Sequence, residues 1–108
     1  LLALRAGKNE AIMTFSPSGA FNYTHLNANG TTTIKSGPGM LHTLTINIKG
    51  ATGNTITLYD NTSASGTVIA VVDPTQNLIT LDFDVAFVNG LTVVLATGTA
   101  ADITLSWL

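Results

Sequence analysis

The amino-acid sequence predicts an all-β protein: a single antiparallel β-sandwich or jelly roll of about seven or eight short strands, residues 19–108, preceded by an N-terminal arm, residues 1–18. Three observations carry this expectation. Strand-favouring Thr, Val and Ile are abundant, whereas helix formers are scarce: one Glu, three Lys, one Arg and one Gln in 108 residues. From Ala20 onward, turn-forming clusters recur about every 8–12 residues, the spacing of short antiparallel strands. Between the turns, apolar and polar residues alternate with the period of two that gives a strand one buried and one solvated face.

The arm comes first. Residues 1–18 hold Arg5 and Lys8, show no sustained alternation and run into Ser16-Pro17-Ser18-Gly19, a loop signal. Arg5 and Lys8 against Glu10 give the arm a net charge of +1, while Lys35 and Lys49 against Asp60, Asp73, Asp82, Asp84 and Asp102 leave the remainder at −3. Two readings stand: a weakly cationic arm that reaches a neighbouring molecule, and a segment that packs along its own domain or frays. The arm's apolar residues, Leu1, Leu2, Leu4, Ile12, Met13 and Phe15, are too many for a freely solvated tail.

Eight strands follow, at 20–26, 30–35, 40–49, 55–60, 67–72, 77–85, 91–97 and 102–108. Asn29-Gly30 separates the first two, and Asn89-Gly90 the sixth and seventh, both competent turns, with the second read as a hairpin. Ser36-Gly37-Pro38-Gly39 reads as the corner between 30–35 and 40–49 and not as a phosphate loop, because the glycines precede a strand and Pro38 removes an amide. In 40–49, Leu44, Ile46 and Ile48 face one way and Thr43, Thr45 and Asn47 the other. The same pattern sets Ile56 and Leu58 inward, Ile79, Leu81 and Phe83 against Thr80, Asp82 and Asp84, and Ile103, Leu105 and Trp107 against Thr104 and Ser106. Strands 67–72 and 91–97 are apolar on both faces, which predicts burial on both sides or an outer face that meets another subunit. The interface candidates are therefore Val68, Val72, Val93 and Leu95, joined by Leu1, Leu4, Arg5, Ile12 and Phe15 of the arm. A homo-oligomer, dimer or trimer, is expected.

Composition also argues against several functions. A net charge of −2 with Arg5 the only arginine leaves no basic footprint for nucleic acid. No cysteine is present, which removes thiol catalysis and thiolate metal sites. No apolar run approaches the roughly 18 residues of a membrane span, so no membrane partner is expected. The opening Leu1-Leu2-Ala3-Leu4 is too short for a signal-peptide core, and no targeting segment is expected.

The chemistry-bearing residues favour structural roles. His25 and His42 are the two side chains able to act as general bases near neutral pH, but no G-x-S-x-G elbow accompanies them, so no catalytic residue and no enzyme is expected. Two histidines without nearby Cys or Glu form no familiar metal set, and no cofactor is expected. Asp82 and Asp84 share one strand face, a spacing open to a Ca²⁺ ion or a glycosidase pair, but a solvated charged face that discourages strand pairing is the simpler reading, since no Asp-rich loop supplies the further oxygens a Ca²⁺ site needs. Asp60-Asn61-Thr62-Ser63 and Asp73-Pro74 read as side-chain-capped turns. Trp107, Tyr23 and Tyr59 are candidates for a sugar-stacking platform, for core packing or for an oligomer contact.

Four stretches carry a resemblance: Ser36-Gly37-Pro38-Gly39-Met40-Leu41-His42, the turn Leu58-Tyr59-Asp60-Asn61-Thr62, Phe87-Val88-Asn89-Gly90-Leu91, and the closing Ile103-Thr104-Leu105-Ser106-Trp107. Through them, residues 31–108 resemble a group of small all-β virion proteins encoded beside the structural genes of tailed bacteriophages. The resemblance implies a jelly-roll-like sandwich that decorates or cements the outer surface of a capsid, with the major capsid protein and copies of itself as partners. It implies no active-site residues. A carbohydrate- or receptor-binding β-sandwich of a fibre, tail or cell surface is the alternative.

Overall fold

A computed structural model describes residues 20–108, and the expectations for the arm, with Leu1, Leu4, Arg5, Ile12 and Phe15, fall outside the described residues. The eight strands are β1 (Asn22–Leu26), β2 (Gly30–Ser36), β3 (Gly39–Ile48), β4 (Thr55–Asp60), β5 (Thr67–Val72), β6 (Thr80–Phe87), β7 (Gly90–Ala96) and β8 (Asp102–Trp107). They form two antiparallel sheets of four, in the orders β1-β8-β3-β6 and β2-β7-β4-β5. First pairs with last, second with seventh, third with sixth and fourth with fifth. A long hairpin rolled over itself produces this nesting, and the fold is an eight-stranded jelly roll.

The rolling changes the meaning of several turns. β1 and β2 lie in different sheets, as do β6 and β7, so Asn29-Gly30 and Asn89-Gly90 are corners that carry the chain across the sandwich and not hairpin turns. Among the described residues only β4 and β5, joined through 61–66, are consecutive in sequence and paired in a sheet. The Ser36–Gly39 turn is likewise an inter-sheet corner, held by the Gly37 amide donating to the Asn89 carbonyl at 2.9 Å. Gly39 is required there by contact: a Cβ on it would sit 2.2 Å from the Leu108 carbonyl oxygen and 2.6 Å from the Phe87 ring.

The alternation read in the sequence places the core. Leu41, Leu44 and Ile46 of β3 and Ile103 and Leu105 of β8 face Leu91, Val93 and Leu95 of β7 and Ile56 and Leu58 of β4, all at most 3% exposed. Each such side chain contributes about 1.5–3 kcal/mol by leaving water. β6 keeps its period throughout, with Leu81, Phe83, Val85 and Phe87 inward, but begins at Thr80, which leaves Ile79 outside the ladder and 45% exposed. A bulge between Leu41 and Thr43 breaks the register of β3 with β6, opposite Asp84, whose φ of 51° is left-handed.

Candidate interaction surface

The two outer sheet faces differ in chemistry. On β1-β8-β3-β6 the outward rows are Tyr23, Ser106, Thr43 and Asp82, then His25, Thr104, Thr45 and Thr80. These hydroxyls bond to one another across strands, Thr43 to Ser106 at 2.5 Å and Thr45 to Thr80 at 2.9 Å. On β2-β7-β4-β5 the rows are Thr31, Val94, Thr57 and Val71, then Thr33, Thr92, Tyr59 and Val68, with Thr92 itself wholly buried and its hydroxyl donating to the Asn61 carbonyl at 2.8 Å. No charged residue stands in either of those two rows.

Both histidines belong to the first sheet. His25 Nε2 lies 2.7 Å from Asp102 Oδ1, and Asn47 Nδ2 donates to the same oxygen at 2.9 Å and to Thr104 at 3.0 Å. Asn47 and then His25 hold the Asp102 carboxyl below the usual carboxylate range. His42 pairs through Nδ1 with Asp84, and its ring stacks on Phe21 with centroids 4.0 Å apart. The two imidazoles stand on β1 and β3 with β8 between them, each with its own aspartate. Among the described residues neither imidazole hydrogen-bonds a hydroxyl, so neither pair includes a nucleophile.

The aspartates divide between local and long-range work. Asp73 caps its own turn, accepting from the Thr75 hydroxyl at 2.6 Å and amide at 2.9 Å, which lowers its pKa. Asp60 departs from the local turn expected of it: its carboxylate reaches across to the corner after β6 and accepts the amides of Val88 and Asn89 at 3.0 and 2.8 Å. The Asn89 and Val88 amides lower its pKa in that order. Asn61 helps close the local turn, accepting from the Thr62 amide and donating to the Ser65 carbonyl, and the Ser65 amide donates to the Ser63 carbonyl at 2.9 Å.

The three aromatic candidates do not converge. Trp107 is partly buried against the core and donates through Nε1 to Thr24 at 3.0 Å. Tyr23, 76% exposed, and Tyr59 stand on opposite outer faces. The geometry therefore offers no shared stacking platform.

The interface candidates separate as well. Val93 and Leu95 point into the core, which corrects their assignment to an outer face: β7 is apolar on both sides, so the run itself did not reveal which set faces inward, and Val94 holds the outward position. Val68 is outward and 46% exposed. Val72 is partly buried against the core and lines a groove of about 310 Å³ between the edge strands β5 and β6. Ile46, Val72 and Leu81 form its apolar floor, Val71 and Ile79 its walls, and Asp73 with Gln76 and Asn77 its polar rim. Outside it, Leu78 is 61% exposed, and Ile48, two residues beyond Ile46, is 63% exposed. This groove went unread in the sequence because its lining comes from three segments that only the rolled fold brings together.

Compared with protein-family models, with curated proteins and with solved structures, the chain gives no match.

Proposed function

We propose that this chain is a non-enzymatic virion structural protein that decorates or cements the outer surface of a phage capsid, with the major capsid protein and copies of itself as partners. The observation that carries the reading is the outward face of the β2-β7-β4-β5 sheet, where the residues left exposed or partly exposed in the rows from Thr31 to Val71 and from Thr33 to Val68, all but the buried Thr92, are Thr, Val and Tyr without a charge. Such a face packs against a like surface without stranding an ion, and its threonines keep it wettable while free. The resemblance of residues 31–108 to small virion proteins supports the same reading. On a repeating lattice, modest contacts multiply into tight attachment, so no deep cleft is needed.

The test uses particles prepared with and without the protein. Particles that carry it resist heat or chelator better, and adding the purified chain back to depleted particles restores the resistance. If particles lacking it are equally resistant and the purified chain does not bind them, the proposal fails. A glycan array read by Trp107 fluorescence tests the alternative: saturable sugar binding by the isolated chain replaces the capsid role with a receptor-binding one.

A further inference from the structure

We infer that β5 is the edge through which this chain associates with itself, pairing antiparallel with β5 of a second copy across a two-fold axis, with Val68 opposite Val71 of that copy. The inference names the surface for the self-association in the proposed function and is independent of the capsid contact. Edge strands present unpaired backbone groups, and a protein that does not use an edge commonly blunts it with charged side chains or proline. Among the described residues the four edges are β1 and β6 of one sheet and β2 and β5 of the other. β1 carries His25, β2 carries Lys35, and β6 carries Asp82 and Asp84. β5, Thr67-Val68-Ile69-Ala70-Val71-Val72, has no titratable side chain and no proline. Of these four edges it alone lacks that guard.

Charge and symmetry select a second copy as the occupant. Residues 20–108 carry −3, and Asp82, Asp84 and Asp102 all belong to the β1-β8-β3-β6 sheet, so copies that met there would bring like charges together. Beside β5 the neighbours on β4 are uncharged, Thr57 next to Val71 and Tyr59 next to Val68. A contact at this edge avoids the repulsion that the rest of the body imposes. Two-fold pairing is isologous, so each copy offers the same patch to the other. The bulge between Leu58 and Tyr59 leaves Ile69 as the extra residue of β5 and lets Val68 and Val71 face outward together, 46% and 66% exposed, while Ile69, Ala70 and Val72 pack against the core. An axis between Ile69 and Ala70 sets each outward valine against an outward valine and joins four of them into one patch. Shifting the register by one residue opposes Val68 to Ala70 or Val72, which face inward, so the pattern specifies a single pairing.

The bulge also shortens the run of backbone that can pair, and it limits the strength of the contact. A strip of six residues, about 20 Å long, at the rim of two sheets about 10 Å apart buries roughly a few hundred Å² per copy, less than the about 800 Å² of a standard interface. The dimer is accordingly weak, with a Kd of about micromolar or weaker. Chains held side by side meet at a high effective concentration, and there the same pair persists.

Sedimentation of the full-length chain across the micromolar to millimolar range should show its mean mass rising toward that of a dimer. Val71→Lys, which sets a cation in the valine patch at an exposed position, should hold the chain at monomer mass with an unchanged circular dichroism spectrum. Thr31→Lys, on the far edge of the same sheet, should dimerise as the unmodified chain does. The chain has no cysteine, so Val68→Cys and Val71→Cys each introduce a single thiol. Mild oxidation of the two variants mixed should link them several times faster than either variant alone, because opposed residues have Cβ atoms about 4.5–5.5 Å apart, whereas like positions are offset by three residues, about 10 Å along the strand. A chain that stays monomeric at millimolar concentration leaves this edge to another occupant and overturns the inference. A dimer insensitive to Val71→Lys, or cross-linking no faster in the mixture, overturns it as well. No capsid enters these measurements, so their failure bears on the β5 edge alone and leaves the particle experiment to decide the capsid role.

Discussion

Asn54 offers the sharpest test of how the rolled sandwich is held together. It is 1% exposed, and its amide donates to Ala96 and Thr97 carbonyls at 3.1 and 2.8 Å and to Asn29 Oδ1 at 3.1 Å, while its oxygen accepts the Ala101 amide at 3.0 Å. One side chain thus ties the corner after β1, the end of β7 and the approach to β8. Asn54→Ala strands the buried Ala101 N–H, at about 1–3 kcal/mol, and leaves two partly buried carbonyls short of a donor, which together make a loss of about 2–5 kcal/mol. Against a stability of about 5–15 kcal/mol this is a large fraction, and at about 4–8 °C per kcal/mol it lowers Tm by at least about 8 °C. Urea unfolding followed by Trp107 fluorescence measures it, with an unchanged m-value confirming a like-for-like comparison. Asn54→Asp adds a control with its own sign. The carboxylate keeps the acceptor for Ala101 but faces three oxygens, so its pKa in the fold is raised; its stability is fullest below about pH 3.9 and falls as pH rises through the folded value. Asn54→Asp should therefore recover part of the loss toward pH 4, and Asn54→Ala should not. A cost below about 1 kcal/mol for the alanine variant, or the same pH dependence in both, would refute the reasoning.

Gly39→Ala drives a methyl into the Leu108 carbonyl and the Phe87 ring and should cost about 1–3 kcal/mol or more, read by the same urea titration. Asp60→Ala removes the carboxylate that accepts the Val88 and Asn89 amides. Because those bonds depress the folded pKa of Asp60, the wild-type advantage over this variant should be complete above about pH 3.9 and shrink as pH falls through the lower folded value, checked by thermal melts across that range. Val68→Asp, on an exposed outward position, should change stability by at most about 0.5 kcal/mol yet abolish binding to depleted particles; retained binding would take that sheet face out of the contact.

The strands themselves were written in the sequence. Period-two alternation and turn residues place seven of the eight strand starts within two residues of those observed, and fix Leu44, Ile46, Leu58, Ile103 and Leu105 as core, because burying one face of a strand demands that pattern locally. β6 is the exception at its start: Asn77 to Ile79 carry strand-like residues, but the chain there is still turning around the groove. What the alternation does not encode is partnership, since every strand carries much the same period and pairing is decided by packing between distant segments. Only the tertiary structure shows that β1 lies beside β8 and β2 beside β7, and hence that Asn89-Gly90 is a corner clamped by Asp60 and not a hairpin. For the same reason Val93 and Leu95 could not be told from Val94 in an apolar run, and the β5–β6 groove, gathered from Ile46, Val72 and Leu81, exists only once the long hairpin has rolled and brought three separate stretches of chain to one edge.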